Sequence, residues 1–173
     1  MTLLRMVDEL CPGYILNVGS SLDRASLIKV MQKTYKELHP NQSVDHLVRT
    51  VDQYLSSDTP LWWVNVQAPP KGAEALSRRQ TFVQRAVGCL WLGDAIDQIE
   101  GDRHTYIFLL YVAPAHRRKG IGTALMAQAA LWAKQRGDRK ISLQVFTNNQ
   151  PALDMYHQLG YKPQSFWMTK RLD

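Results

Sequence analysis

The 173 residues predict a mixed α/β sandwich, with one central, mostly antiparallel sheet of six or seven strands flanked by about four helices. Short β-branched or aromatic runs alternate with helical periodicities along the chain, and no repeat or low-complexity segment interrupts them. An apolar run at 106–112, a helical stretch and a further strand at 141–145 form a strand-helix-strand unit, which places two parallel strands inside the otherwise antiparallel sheet. The length suits one domain, 1–173, that buries about two-thirds of its unfolded surface. Hydrophobic residues at 45% and charged residues at 21% match a soluble globular domain and exclude disorder over most of the chain.

Tyr14–Val18 reads as the first strand. Ser20 and Asp23 then form an S-x-x-D box ahead of Leu27, Ile28, Met31, Tyr35 and Leu38, so a capped amphipathic helix starts near Leu22. His39-Pro40 ends it, because the residue before a proline is pushed out of the helical region. Leu47, Val48, Val51, Tyr54 and Leu55 predict a second helix, closed by the turn-prone residues 56–60. Leu61–Val66 is a strand by its aromatic and β-branched content, and the Pro, Gly and polar residues of 68–79 predict a long loop.

The runs 82–92 and 106–112 flank the acidic segment 93–102, which predicts two long antiparallel strands joined by a hairpin. The second run is apolar throughout, as expected of a strand covered on both faces. A helix opens near Gly120 with Ile121, Leu125, Ala129 and Trp132 on one side and Gly137 as its terminator. Asn149, Gln150 and Pro151 open a short helix that Leu159-Gly160 closes, and 166–171 supplies a last strand. The five tryptophans are expected in or against the core. Cys11 and Cys89 show no metal spacing and are expected as buried thiols.

No window approaches the roughly 20 apolar residues of a membrane span, and Arg5, Asp8 and Glu9 stand where a signal peptide would be apolar. A cytoplasmic protein with no membrane partner is therefore expected. The net charge of +6 and pI of 9.4 suit a nucleic acid, a membrane surface or a phosphate-rich small molecule without choosing among them. No aromatic interleaving with Lys and Arg supports a nucleic-acid partner.

Arg117, Arg118, Lys119, Gly120, Ile121, Gly122 and Thr123 stand where an apolar strand gives way to a helix. Backbone N–H groups point outward at such a helix start and favour anions. Three cations there oppose the helix dipole, a penalty that a bound polyanion offsets. A dinucleotide fingerprint fails, because Leu125 occupies the third glycine position and no acidic residue follows about twenty residues on. No G-x-x-x-x-G-K-[ST] run is present either.

The stretch 112–125, VAPAHRRKGIGTAL, closely resembles the acetyl-CoA signature of the GCN5-related N-acetyltransferases, with Arg117, Gly120 and Gly122 matching its [QR]-x-x-G-x-[GA] core. Residues 148–161, NNQPALDMYHQLGY, resemble the second block of that family, in the right order and separation. The resemblance implies that family's fold, including a parallel strand pair that splays apart, with a cofactor-binding core at about 105–162. It implies that acetyl-CoA lays its pyrophosphate on the loop from Arg117 to Thr123 and its pantetheine arm beside Leu110, Tyr111 and Val112. It further implies direct attack of a primary amine, from a peptide N-terminus or a small molecule, on the thioester in a ternary complex. Tyr156 matches the position that protonates the departing thiolate and lies beside the cofactor. Asn149 either caps its helix or bonds the cofactor, and the two roles are compatible. Pairing into a homodimer through the last strands is a further expectation.

One departure stands out: the family often carries a glutamate base on the strand before the signature, and 106–112 contains no carboxylate. Histidine is the residue type suited to replace that base, but His104, His116 and His157 are expected as surface or packing histidines. A water chain suffices for an α-amine, whose pKa near 8 leaves much of it neutral. The missing base keeps a second reading open, a non-catalytic acyl-CoA-binding module. Asp94, Asp97, Glu100 and Asp102 form an acidic cluster, either a solvated hairpin tip or an attractor for a cationic acceptor.

Overall fold

The computed structural model describes residues 8–67 and 82–172. Six strands lie across one sheet in chain order: β1 (Asp8–Cys11), β2 (Tyr14–Val18), β3 (Leu61–Val66), β4 (Gly88–Ile96), β5 (Arg103–Val112) and β6 (Ile141–Leu143). All neighbours are antiparallel except β5 and β6, which are parallel. Among the described residues, four longer helices flank the sheet: α1 (Arg24–Leu38), α2 (His46–Tyr54), α3 (Ile121–Gln135) and α4 (Gln150–Gln158). The mixed α/β class, the strand number and the single parallel pair follow the sequence expectation.

Local chemistry sets the helix ends. The Ser20 hydroxyl accepts from the Leu22 N–H at 3.1 Å, and the Ser20 N–H donates to the Asp23 carboxylate at 2.9 Å, closing the expected capping box over a 3-10 turn that leads into α1. The Trp63 indole N–H donates to Asp23 at 3.2 Å, which ties this helix start to the sheet. At the end of α3, Gly137 takes φ +79°, and the N–H of Asp138 reaches the carbonyl of Ala133 at 3.0 Å, a Schellman closure that needs a residue free to be left-handed. α4 closes the same way, with the Tyr161 N–H on the Tyr156 carbonyl at 2.9 Å.

The sheet buries both faces. Leu27, Met31, Leu47 and Val51 of α1 and α2 pack on Trp63, Trp91, Leu109 and Tyr111. Ile121, Leu125, Ala129 and Tyr156 of α3 and α4 pack on Val64, Leu90, Leu92 and Ile107. A bulge in β5 links the two faces: Leu92 pairs with Ile107 and Trp91 with Leu109, so Phe108 has no partner on β4 and turns onto the α1–α2 side next to Leu109. Gly93 makes room for it, since a Cβ there would lie 2.2 Å from the Phe108 ring.

Several expectations are corrected. β4 starts at Gly88 rather than Phe82 and runs on to Ile96, taking in residues assigned to the hairpin. The apolar run before it turns helically at 82–84, buries Val83 and is held by the Asn65 amide on the Phe82 carbonyl at 2.8 Å; a run this short fits helix and strand alike. β1 was not anticipated, although Pro12-Gly13, with Gly13 at φ +83°, is its turn signal. β6 stops at Leu143 instead of reaching Val145. Residues 166–171 form no strand: Phe166, Trp167 and Met168 are 83–89% exposed and no described strand pairs with them, so Trp167 also departs from the expected burial. Cys89 is fully buried and burial raises its thiol pKa, whereas Cys11 is only half-buried. The loop expected at 68–79 lies outside the described residues.

Candidate active site

The parallel ladder is short. Thr105, Tyr106 and Ile107 pair with Ile141, Ser142 and Leu143, and no further pairing joins β5 to β6. From Phe108 to Val112 the far edge of β5 therefore has no ladder partner among the described residues, which is the splay that the sequence implied. The direction of its backbone groups follows from the other edge. The Ala113 N–H donates to the Val87 carbonyl at 2.8 Å, so by antiparallel alternation Tyr111 and Leu109 also direct their N–H and C=O groups at β4. Leu110 and Val112 direct theirs into the splay. Of the three strand residues singled out from the sequence, these two face the opening through their main chain, and Tyr111 faces β4.

β5 runs into the basic loop at the start of α3. A 3-10 turn at 114–116 positions His116, whose Nδ1 lies 3.0 Å from the Tyr14 hydroxyl. Arg118 then takes φ +63° and Gly120 φ +83°, so the backbone alternates in hand and gathers successive N–H groups on one side. No side chain caps α3, which leaves the first N–H groups of Ile121, Gly122 and Thr123 available to an anion. Ile121 is buried and anchors this turn, while Arg117, Arg118, Lys119, Gly120 and Thr123 are exposed. The two glycines serve different needs. Gly120 supplies the left-handed φ, and Gly122 lets α3 lie against α4, because a Cβ there would come to 3.0 Å from the Met155 sulfur.

Arg117 has a role that the motif alone did not reveal. Its Nε donates to the Val112 carbonyl at 2.9 Å, and its guanidinium bonds the Glu37 carboxylate on α1 at 2.5 Å. One arginine thus joins the loop, the last residue of β5 and the end of α1.

The Gly122–Met155 contact brings α4 to the loop, and Tyr156 follows in the same apolar cluster as Ile121, with Leu110 and Val112 packed against it. Tyr156 is 9% exposed, and its ring lies 5.8 Å from that of Tyr161. Burial, and secondarily Tyr161, pushes its phenol up to about 12, so it stays protonated at neutral pH. Asn149 caps α4 through its carbonyl oxygen, which accepts from the Ala152 N–H at 3.4 Å.

The remaining titratable candidates are placed elsewhere. His104 is buried at the far end of the β5–β6 ladder, with Nε2 2.7 Å from the Ser142 hydroxyl, and His157 is exposed on α4. The acidic cluster is neither a bare tip nor an open attractor. Asp94 bonds Arg136 at 2.7 Å, Asp97 and Glu100 bond Lys140 at 2.8 and 2.7 Å, and Asp102 pairs with Arg139. A histidine not anticipated from the sequence, His39, ends α1 with its ring 4.5 Å from Phe146 and its Nε2 buried without a partner. Its only sequence signal was the helix-ending His-Pro pair. No His, Cys, Asp and Glu grouping suited to a metal occurs among the described residues.

A family model described as "Acetyltransferase (GNAT) family" matches residues 31–161. The chain belongs to this family. Among curated GNAT relatives, a streptothricin acetyltransferase from Streptomyces lavendulae is 46% identical over 50 residues, covering 29% of this chain and 26% of that protein. An aminoglycoside N(6')-acetyltransferase type 1 from Acinetobacter haemolyticus is 33% identical over 66 residues, covering 37% of this chain and 46% of its own. The chain spans about half or less of the length of these curated relatives. Among solved structures, a ribosomal-protein-alanine N-acetyltransferase from Brucella melitensis biovar Abortus superimposes with a TM-score of 0.63 at 17% identity, covering 92% of this chain and 99% of that one. At that identity the likeness speaks for the GNAT fold alone.

Proposed function

We propose that this GNAT-family acetyltransferase moves an acetyl group from acetyl-CoA to a primary amine, a peptide N-terminus or a small molecule, by direct attack in a ternary complex. One observation carries the reading: the free main-chain groups of Leu110 and the N–H of Val112, whose carbonyl is held by Arg117, lead to a loop whose own N–H groups converge, with Tyr156 alongside. A pantetheine arm needs alternating strand donors and acceptors, and a pyrophosphate needs clustered N–H groups, so the residues present fit the co-substrate.

In this reading the backbone of Arg117, Arg118, Lys119, Gly120, Ile121, Gly122 and Thr123 holds the pyrophosphate, with the exposed side chains of Arg118 and Lys119 adding charge. Leu110 directs its N–H into the splay, where it meets the carbonyl oxygen as negative charge grows there. Tyr156 donates its hydrogen bond and then its proton to the departing sulfur, and regains a proton from solvent as the amine's proton leaves, so that no phenolate persists in its buried site. The amine arrives neutral, its proton passing to solvent, because no described carboxylate on β5 serves as base. Action in the cytoplasm and pairing of two copies through the exposed residues 166–168 belong to the same proposal, which includes no nucleic-acid partner. No described helix is long and apolar enough to cross a membrane.

Calorimetry with acetyl-CoA, followed by free-thiol release across a panel of amines and peptides, tests it. Binding with amine-dependent thiol release is expected. A folded sample that neither binds nor competes for any CoA species refutes the proposal, and binding without release by any acceptor leaves the non-catalytic acyl-CoA module.

A further inference from the structure

The place where β5 and β6 part is walled by aromatic rings that the acyl-transfer chemistry does not use. Tyr106 and Phe108 flank Ile107, the last paired residue of β5, and Phe146 lies three residues past the end of β6 on the diverging branch. Tyr35 sits in the last turn of α1, and Tyr54 is the last residue of α2. The rings touch in sequence. Phe108 lies 4.9 Å from Tyr54 and 5.0 Å from Tyr106, and Tyr35 meets Phe146 edge-on at 5.8 Å. The Tyr106 phenol is close enough to those of Tyr35 and Tyr54 that they add to burial in raising its pKa.

Three features make this more than core packing. Tyr54 and Phe146 are 43% and 41% exposed, so flat apolar faces remain open beside the splay. None of the five rings is hydrogen-bonded or ion-paired to a carboxylate among the described residues, and Glu37, two residues from Tyr35, is held by Arg117. The acids at 94–102 and Asp138 are paired at the opposite end of β5, and Asp52, two residues from Tyr54 on α2, is held by Arg24. An acceptor with several ammonium groups would bring uncompensated charge to this wall in a chain of net charge +6. One ammonium, by contrast, is tolerated against aromatic faces, and a flat body gains by stacking.

We infer that the acceptor is a small primary amine carried on an aromatic or comparably flat apolar body, seated on the surface formed by Tyr35, Tyr54, Tyr106, Phe108 and Phe146. This rests on the acetyl-transfer reading above and narrows it to a substrate class. The five neutral rings select the body and leave the amine to reach into the splay between Leu110 and Phe146.

The test compares kcat/KM for 2-phenylethylamine, n-butylamine and kanamycin with saturating acetyl-CoA, after calorimetry has established acetyl-CoA binding by itself. Phenylethylamine is expected to exceed butylamine roughly tenfold, about what one or two ring contacts supply, and to exceed kanamycin by more. Phe146→Ala, a change at a half-exposed ring, is expected to cut the phenylethylamine-to-butylamine ratio by roughly threefold or more, with acetyl-CoA affinity unchanged. Equal values for the two monoamines, a preference for kanamycin, an unchanged ratio in Phe146→Ala, or bound acetyl-CoA with no amine acetylated each overturn the inference while the co-substrate site stands. Failure to bind acetyl-CoA removes both.

Discussion

The two ends of β5 are opposites. At its start, Thr105 donates to Asp138 at 2.6 Å, His104 bonds Ser142, and a chain of ion pairs closes the hairpin onto the segment after α3. At its end, two residues point main-chain groups into an unfilled gap, a loop takes left-handed turns, and a helix begins without a cap. One end has more formal charge and its carboxylates are all paired, although Nδ1 of His104 is buried there without a partner. The other leaves the groups of Leu110, the Val112 N–H and the first N–H groups of α3 to solvent, and an anion is well suited to satisfy such a helix start. On the proposed reading, charge density is a poorer guide to the site than backbone groups left open.

The sharpest way to break that contrast is to spoil the loop. Gly122→Glu places a carboxylate at the N-terminus of α3, against Met155 and among the N–H groups proposed to hold phosphate. Acetyl-CoA affinity by calorimetry is expected to fall about a hundredfold or more, with circular dichroism showing a retained fold. A variant that binds normally would mean that the open end is not the co-substrate site. Next in size, Tyr156→Phe removes the buried proton donor and is expected to lower kcat by roughly ten- to a hundredfold with little change in acetyl-CoA affinity. An unchanged kcat would return Tyr156 to the role of one more ring in its cluster.

Most of this contrast was legible in the sequence, and the exceptions have physical causes. The capping box at Ser20, the loop from Arg117 to Thr123 and the Gly137 and Gly160 helix ends were readable, because each depends on residues adjacent in the chain. Tyr156 near the loop came through the family resemblance and is held by a contact, Gly122 on Met155, that no local pattern shows. The Phe82 run was misassigned since Val83, Ala86 and Val87 suit a helical turn as well as a strand. The ring wall was invisible, for it draws on α1, α2, β5 and the segment after β6, and its key step is the bulge at Phe108. The acidic cluster misled for the same reason: its partners Arg136, Arg139 and Lys140 lie some forty residues away in the chain.

The burial of Tyr156 also has a thermodynamic signature that distinguishes it from the exposed groups at the hairpin. Its phenol is pushed from 10 up to about 12 in the folded chain. In the unfolded chain the proton leaves near pH 10, so this group's contribution to stability is complete below pH 10 and is lost as pH rises toward about 12. At full extent the loss is about 2–3 kcal/mol. Tyr35, Tyr106 and Tyr161 are shifted in the same direction and add to the slope. Comparing Tm against pH from 9 to 12 in the native protein and in Tyr156→Phe is expected to show a shallower alkaline decline in the variant. Identical declines would mean that the ring is not buried in solution.

The smallest expected effect lies at the ion-paired end. Asp97 is held well below the usual carboxylate range by the Lys140 ammonium and then by the N–H groups of Glu100 and Ile99, at a surface hairpin where Asp97 and Lys140 are half-buried and Glu100 is exposed. A depressed carboxylate stabilises the fold above its unfolded pKa, near 4, and that contribution fades as pH falls below it. Because water and salt screen exposed pairs, converting Asp94, Asp97, Glu100 and Asp102 to their amides together is expected to lower Tm only slightly at neutral pH, more at low than at high ionic strength. The Michaelis constant for the amine should not move. A large rise in that constant would place the acceptor at the hairpin, where every carboxylate already has a basic partner within its own chain, and would show that those partners exchange for substrate.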